Sequence, residues 1–449
     1  MRTFLRGALA VIAVILIPVA GGAISAFATF DAEYAPGPDR PIPSAIAPAF
    51  DPAKPTAVVV IGDNGAVVSD ALAPYELLAA SGRFNVYTVA SRRRPLPLTG
   101  GLDLVPDLSF ADLAELTGGA APTLTVIPAM PDVGEPSTGP VTAWLRDQAS
   151  RGTLLLSVCN GAGVLASAGL LDGRPATAHW MRIGSLESDY PAVNWVHGKR
   201  FVDSGTVVTT AGVLSGIDGT LHMIERLAGS TVAVNAAKAV GWRYYGNTPP
   251  VVTGIAMPAP AAIVNAGWTW APPTVGVMLT PGVGEIDLAS VFETHDKSLA
   301  ERTLAVSADG GPIRSRHGLT FLPRADLADA APDLDRLLVP GAGVRLGQVP
   351  DGLEPVYVHS GQDFAYNDVV RDLARTMDVA TARWTAETME LPIDGLRLEG
   401  PAWPWQQTGL PILLILLGIA AVICLPRLRT TVDTLVRQGQ AMHGPADHP

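Results

Sequence analysis

Cysteine is almost missing from this chain. Only Cys159 and Cys424 occur in 449 residues, so no disulfide framework can hold the fold. Charge is also scarce, at 16% of residues against 48% apolar, with a mean hydropathy of +0.28. That much apolar surface excludes a disordered chain. Basic residues are outnumbered 31 to 42, a net charge of -11. A general nucleic-acid binder needs a basic face, so that class is excluded. The 46 glycines and 39 prolines show no fixed period, which excludes a collagen-like filament. No G-x-x-x-x-G-K-[ST] and no strand-linked G-x-G-x-x-G occurs, so nucleotide binding has no support. His317 and His359 lack the His/Asp/Glu spacing of a metal site. Neither metal nor cofactor is expected.

What is abundant is apolar sequence, and part of it sits at the ends. Residues 8–28 carry no charge and follow Arg2 and Arg6; such a run is long enough to span a bilayer core. Ala26-Phe27-Ala28 also fits a signal-peptidase site. An uncleaved anchor over residues 1–30 is the preferred expectation. A second run, residues 410–425, lies between Trp403/Trp405 and Arg427, Arg429 and Arg437. Those flanks favour a second transmembrane helix over a core helix, at 408–427 with a tail at 428–449. Basic residues at both outer flanks place both termini in the cytoplasm and residues 30–400 outside it. Without the two runs the remainder is about 45% apolar, ordinary for a globular domain.

Between them, residues 31–55 are proline-rich and read as a linker. Residues 56–242 alternate short β-branched runs with helical patterns. Thr56–Ile61, Phe84–Val89, Leu124–Ile127, residues 152–159 and Thr206–Thr210 read as strands. Helical patterns follow at Asp70–Ala80, Val141–Ser150, Asn160–Ala168 and Ile217–Leu227. Such alternation predicts an α/β fold with a mostly parallel sheet.

Cys159 ends an apolar strand, and Asn160-Gly161-Ala162-Gly163 open a helix after it. A strand-to-helix turn of this kind lifts a side chain above the sheet edge. A thiol at a helix N-terminus is expected to have a lowered pKa. The amides that follow could hold an oxyanion. The alternative is an inert buried cysteine. His179 could exchange protons with a thiol, and Asp70 could be a first-turn carboxylate of its helix.

The run SVCNGAGVLASAGLLDGRPATAHW, residues 157–180, closely resembles the elbow region of the ThiJ/PfpI superfamily. The nearest subgroup holds isocyanide hydratases and the amidase-like domains of AraC-type regulators, and TTAGVLSGIDGTLHMIERLAG, residues 209–229, fits it too. The resemblance covers residues 56–242 and implies a flavodoxin-like parallel sheet sandwiched by helices. It implies Cys159 as nucleophile, His179 as its histidine and Asp70 as a carboxyl that tunes the thiol. Asn160, Gly161 and Ala129 are the implied oxyanion or substrate-binding residues. Three departures stand out. Hydratase-like members carry Thr after the cysteine and protease-like members His, where this chain has Asn160; a peptidase is thereby disfavoured. The family's Pro-Gly-Gly loop is here Pro128-Ala129-Met130, and Met130 is expected to narrow the pocket.

After a linker at 243–273, residues 274–395 read as a shortened second copy. TVGVMLTPGVGEID lies against TAVVVIGDNGAVVSD, which sets Asp287 opposite Asp70, and LLVPGAG parallels TVIPAM. No second cysteine elbow fits between Pro350 and Phe364. This module is expected to pack against the first, within the chain or in a homo-oligomer. No helix-turn-helix follows, so no DNA partner is expected. Two functions remain in view: a membrane-anchored, extracytoplasmic cysteine hydratase or amidase acting on a small electrophile, or a non-catalytic small-molecule or redox sensor. Their partners would be membrane lipid, through the two segments, and a small molecule.

Overall fold

The computed structural model describes residues 2–43, 49–246, 257–420 and 422. The run TAVVV at Thr56–Val60 is buried on both faces, as expected for a strand covered by helices above and below. It sits in a seven-stranded sheet ordered Phe201–Asp203, Val207–Thr210, Leu154–Ser157, Leu124–Ile127, Thr56–Val60, Asn85–Ala90, Leu108–Ser109. All pairs are parallel except the edge pair of Phe201–Asp203 with Val207–Thr210. Short apolar strands joined by helices can pair in parallel only through such crossovers.

A second, five-stranded parallel sheet runs Ala325–Asp326, Arg302–Ser307, Thr274–Met278, Arg336–Val339, Pro355–Tyr357. Its order repeats that of five strands of the first sheet, from Leu108–Ser109 through Leu154–Ser157. The two modules are stitched by a third sheet, in which Thr320–Leu322 pairs antiparallel with Leu102–Val105. Behind that seam, helix Val68–Ala80 lies on helix Glu285–Ser298. Both are buried nearly all round because each is pressed between its own sheet and the other helix. Polar ties cross the contact: Ile286 N donates to Glu76 Oε2 at 2.6 Å, and Ser69 N to Glu293 Oε2 at 3.3 Å. One continuous apolar cluster spans both modules, from Val59 and Cys159 to Val277, Leu373 and Met389.

The ends differ from the sequence expectation. An N-terminal helix runs Arg2–Ala32, and its segment Val14–Ala32 is long and apolar enough to cross a membrane by length and composition. Of the second expected span the described residues hold the apolar helix Trp405–Ala420, and the rest of that span, but for residue 422, lies outside them. Cys424, Arg427, Arg429, Arg437 and the tail lie outside the described residues. Two transmembrane helices are therefore not established. The N-terminal helix packs on helix Pro260–Trp268, within the stretch read as linker. There a Cβ on Gly22 would lie 2.9 Å from the Trp268 ring, so the helices approach through a small residue. The proline-rich segment touches both modules, with Arg40 donating to Gly310 O at 2.7 Å and Tyr87 Oη donating to Ala49 O at 2.7 Å.

Candidate active site

The elbow is built by a glycine. A Cβ on Gly161 would stand 2.1 Å from Ile127 O, on the neighbouring strand, so only Gly lets the elbow helix Gly161–Ser167 start this close to the sheet. Gly161 N donates to Val158 O at 2.8 Å, and the tight turn forces Cys159 to φ +56°. Cβ-bearing residues occupy that left-handed region at a cost. Cys159 is left 8% exposed.

Asp70, in the first turn of Val68–Ala80, is fully buried. Its Oδ2 accepts from Ala129 N at 3.1 Å, while Oδ1 has no partner among the described residues. Burial, then the charge of Glu293, push Asp70 well above the ordinary carboxylate range, against the Ala129 amide and Lys297. The acid form is thus favoured beside the thiol.

The thiol departs from the sequence expectation. Burial, and next the nearby carboxyl of Asp70, push Cys159 up rather than down; the Asn160 N–H turned toward the sulfur opposes them. A helix only two turns long offers too little dipole and too few free amides to outweigh desolvation. Protonation of Asp70 removes the second of these causes.

The oxyanion donors are also otherwise engaged. Ala129 N serves Asp70, Gly161 N serves Val158 O, and Asn160 N faces the sulfur. His179 is 5% exposed and has both ring nitrogens in use: Nε2 donates to Thr388 O at 2.8 Å and Nδ1 accepts from Met181 N at 3.3 Å. Burial brings its pKa down to about 4, so the ring is neutral at pH 7. Cys159 and Asp70 are therefore brought together, while His179 is tied to backbone and bonds neither. Met130 is buried. Its side chain belongs to the apolar cluster on the other face of the sheet, with Ile127 and Ala162, and fills the space beside Gly62. Cavities of about 310 and 220 Å³ lie elsewhere on the surface, around Arg146/Arg174 and Arg371/Arg397.

The second module closes the site. Besides Thr388, its Trp384 meets Trp180 edge-on with centroids 6.0 Å apart, and Met389 O accepts from Leu214 N at 3.0 Å. No local signal in the sequence marks these residues; His179 and Thr388 are 209 positions apart. At the module seam, ligand atoms of Glu76, Glu285 and His317 lie within 4.8 Å of one another. They are satisfied internally, Glu285 by His317 and Ser315, Glu76 by Ile286 N and Arg316.

Residues 56–226 match the profile of the DJ-1/PfpI family. The chain is 32% identical over 214 residues to the isonitrile hydratase of Pseudomonas putida, covering 46% of this chain and 86% of that protein. The chain belongs to the DJ-1/PfpI family. It is also 30% identical over 173 residues to the HTH-type transcriptional regulator CdhR of Pseudomonas aeruginosa, of which it spans 48%. Among solved structures, DJ-1beta of Drosophila melanogaster is 23% identical; 41% of this chain and 97% of that one align, with a TM-score of 0.37. Within the family match fall Asp70, Ala129, Cys159 and His179; Thr388 and Trp384 lie outside it.

Proposed function

We propose that this DJ-1/PfpI protein adds water to a small uncharged electrophile through Cys159, with an isocyanide carbon as the chemical class that fits. One observation carries the reading: a thiol on a strained elbow stands beside a carboxyl that favours its acid form and has an unpartnered oxygen. An amidase would need free donors for a developing oxyanion, and the three expected amides are engaged. Addition to an isocyanide develops no oxyanion in its first step. It needs a nucleophile and an acid at one carbon.

The steps balance as follows. The sulfur of Cys159 bonds to the terminal carbon of R–N≡C as that carbon takes the proton of Asp70. The thiol proton passes to Asp70, leaving R–N=CH–S–Cys159. Water then adds to that carbon, the C–S bond breaks, and R–NH–CHO leaves with the thiol restored. No oxidant is required. The small exposure of Cys159 limits substrates to slender ones. The 32% identity to an isonitrile hydratase supports the same class. Purified protein incubated with a small alkyl isocyanide should release the formamide, and Cys159→Ser and Asp70→Asn should each abolish it. Absence of formamide from folded wild-type protein overturns the reading.

A second reading, ligand binding without turnover, is favoured by the 8% exposure of Cys159 and the engaged His179. It predicts isocyanide binding that survives in Cys159→Ser with no product from either protein. In both readings Val14–Ala32 anchors the protein, Arg2 and Arg6 stay cytoplasmic and the modules face outward. Protease added to spheroplasts should cut the modules; full protection would reverse that topology.

A further inference from the structure

The second module delivers one more acid to the elbow. Register fixes where it arrives. Strands Leu154–Ser157 and Val207–Thr210 are parallel with Ser157 opposite Thr209. The chain leaving the second strand, Ala211-Gly212-Val213, therefore runs beside Val158 and Cys159. Into that place comes Glu390, two residues past Thr388. Its backbone is left-handed at φ +55°, held by Met389 O accepting from Leu214 N and by Arg200 Nη1 donating to Glu390 O at 3.3 Å. A side chain at 212 has no room: a Cβ there would sit 2.3 Å from Glu390 Cδ. The carboxylate accepts from Ser215 Oγ through Oε2 and is faced by the Gly212 N–H, with Oε1 buried. A non-glycine residue in left-handed backbone and a glycine that makes room for its side chain fix Glu390 at this place.

We propose that Glu390 is a positioning residue of the Cys159 site, by which the second module sets the charge felt by the thiol and by Asp70. This rests on the cysteine-addition reading above. Around Glu390 stand Arg200, Asp218, Ser215 and the Gly212 amide. Around Cys159 stand Asp70, Glu390 and Lys297, and Asp70 also faces Glu293. His179 is neutral and tied to Thr388. Burial raises Glu390 above the usual carboxylate range, while the Ser215 hydroxyl, Arg200 and the Gly212 amide hold it down; in its ionised form it disfavours the thiolate and also the ionisation of Asp70. It thereby keeps the thiol quiet and the acid loaded until substrate arrives.

The test is the pH profile of iodoacetamide alkylation of Cys159 in the full-length protein, read by mass spectrometry on the Cys159 peptide so that Cys424 does not interfere. Glu390→Gln keeps the shape and the Ser215 hydrogen bond but removes the charge. It should move the profile to lower pH and raise the rate at pH 7.5, tenfold for each pKa unit by which the profile moves. Gly212→Ala should displace the carboxylate without changing any charge and shift the profile the same way. Should Glu390→Gln fail to fold, Gly212→Ala carries the test alone. Profiles superimposable on wild type in folded protein overturn the proposal. Alkylation needs no turnover, so this outcome is independent of whether the isocyanide is hydrated.

Discussion

The contact between Trp180 and Trp384 tests whether the second module is seated on the cysteine site. Trp384 is 3% exposed, and its ring meets Trp180 at 90° with centroids 6.0 Å apart. Truncating a buried Trp to Ala costs roughly 3–5 kcal/mol. The edge-on pair adds about 0.5–1.5 kcal/mol beyond area burial. Trp384→Ala should therefore destabilise by about 4 kcal/mol, and Trp180→Ala by less, since Trp180 is only half-buried. In the double mutant the losses should fall short of their sum by about 1 kcal/mol. Urea unfolding of the four proteins gives the cycle. A local consequence follows as well. Thr388 Oγ1 donates to Trp384 O at 3.0 Å, and Thr388 O holds His179. Loosening that turn should free His179 and speed alkylation of Cys159. Losses that add to within about 0.3–0.5 kcal/mol would show that the rings do not interact in solution. The closed site would then be refuted.

Three further outcomes are expected. Gly161→Ala should cost about 3 kcal/mol, the upper end for overpacking, because its Cβ meets the backbone oxygen of Ile127; Gly139→Ala, with nothing within 4 Å, should be near neutral by the same denaturation assay. Burial holds Asp107 at about 6 instead of 3.8, against the Thr88 N–H and hydroxyl that donate to it. The folded protein thus keeps this proton longer than the unfolded chain, so stability falls as pH rises from about 4 through about 6, by at most about 3 kcal/mol. Asp107→Asn should flatten that part of the stability profile, and an unchanged slope would contradict the assignment. Asp70→Asn should leave the melting temperature of the protein at pH 7 unchanged or higher, because the acid form it mimics is already favoured; a large loss on calorimetry would mean that the carboxylate form is the native one.

The sequence by itself determined the α/β class and the elbow. Short β-branched runs such as TAVVV alternate with helical patterns, and this periodicity leaves few folds open. Gly161 next to Cys159 is a local signal, because a backbone that must pass close to a neighbouring strand tolerates no Cβ. The N-terminal apolar run was equally legible as a run, though composition alone does not distinguish a membrane span from a helix packed against protein. What only the tertiary structure decided was the chemistry around the sulfur. Whether the Ala129, Asn160 and Gly161 amides are free depends on neighbours up to 59 residues away. The direction in which the Cys159 thiol shifts depends on burial, which no spacing encodes. His179 looked like a base in sequence and became a donor to Thr388, because a carbonyl from the far module arrived at its ring. Glu390 entered the site in the same way. Residues far apart in the chain meet when two modules dock, and desolvation at that meeting sets the charge of each group.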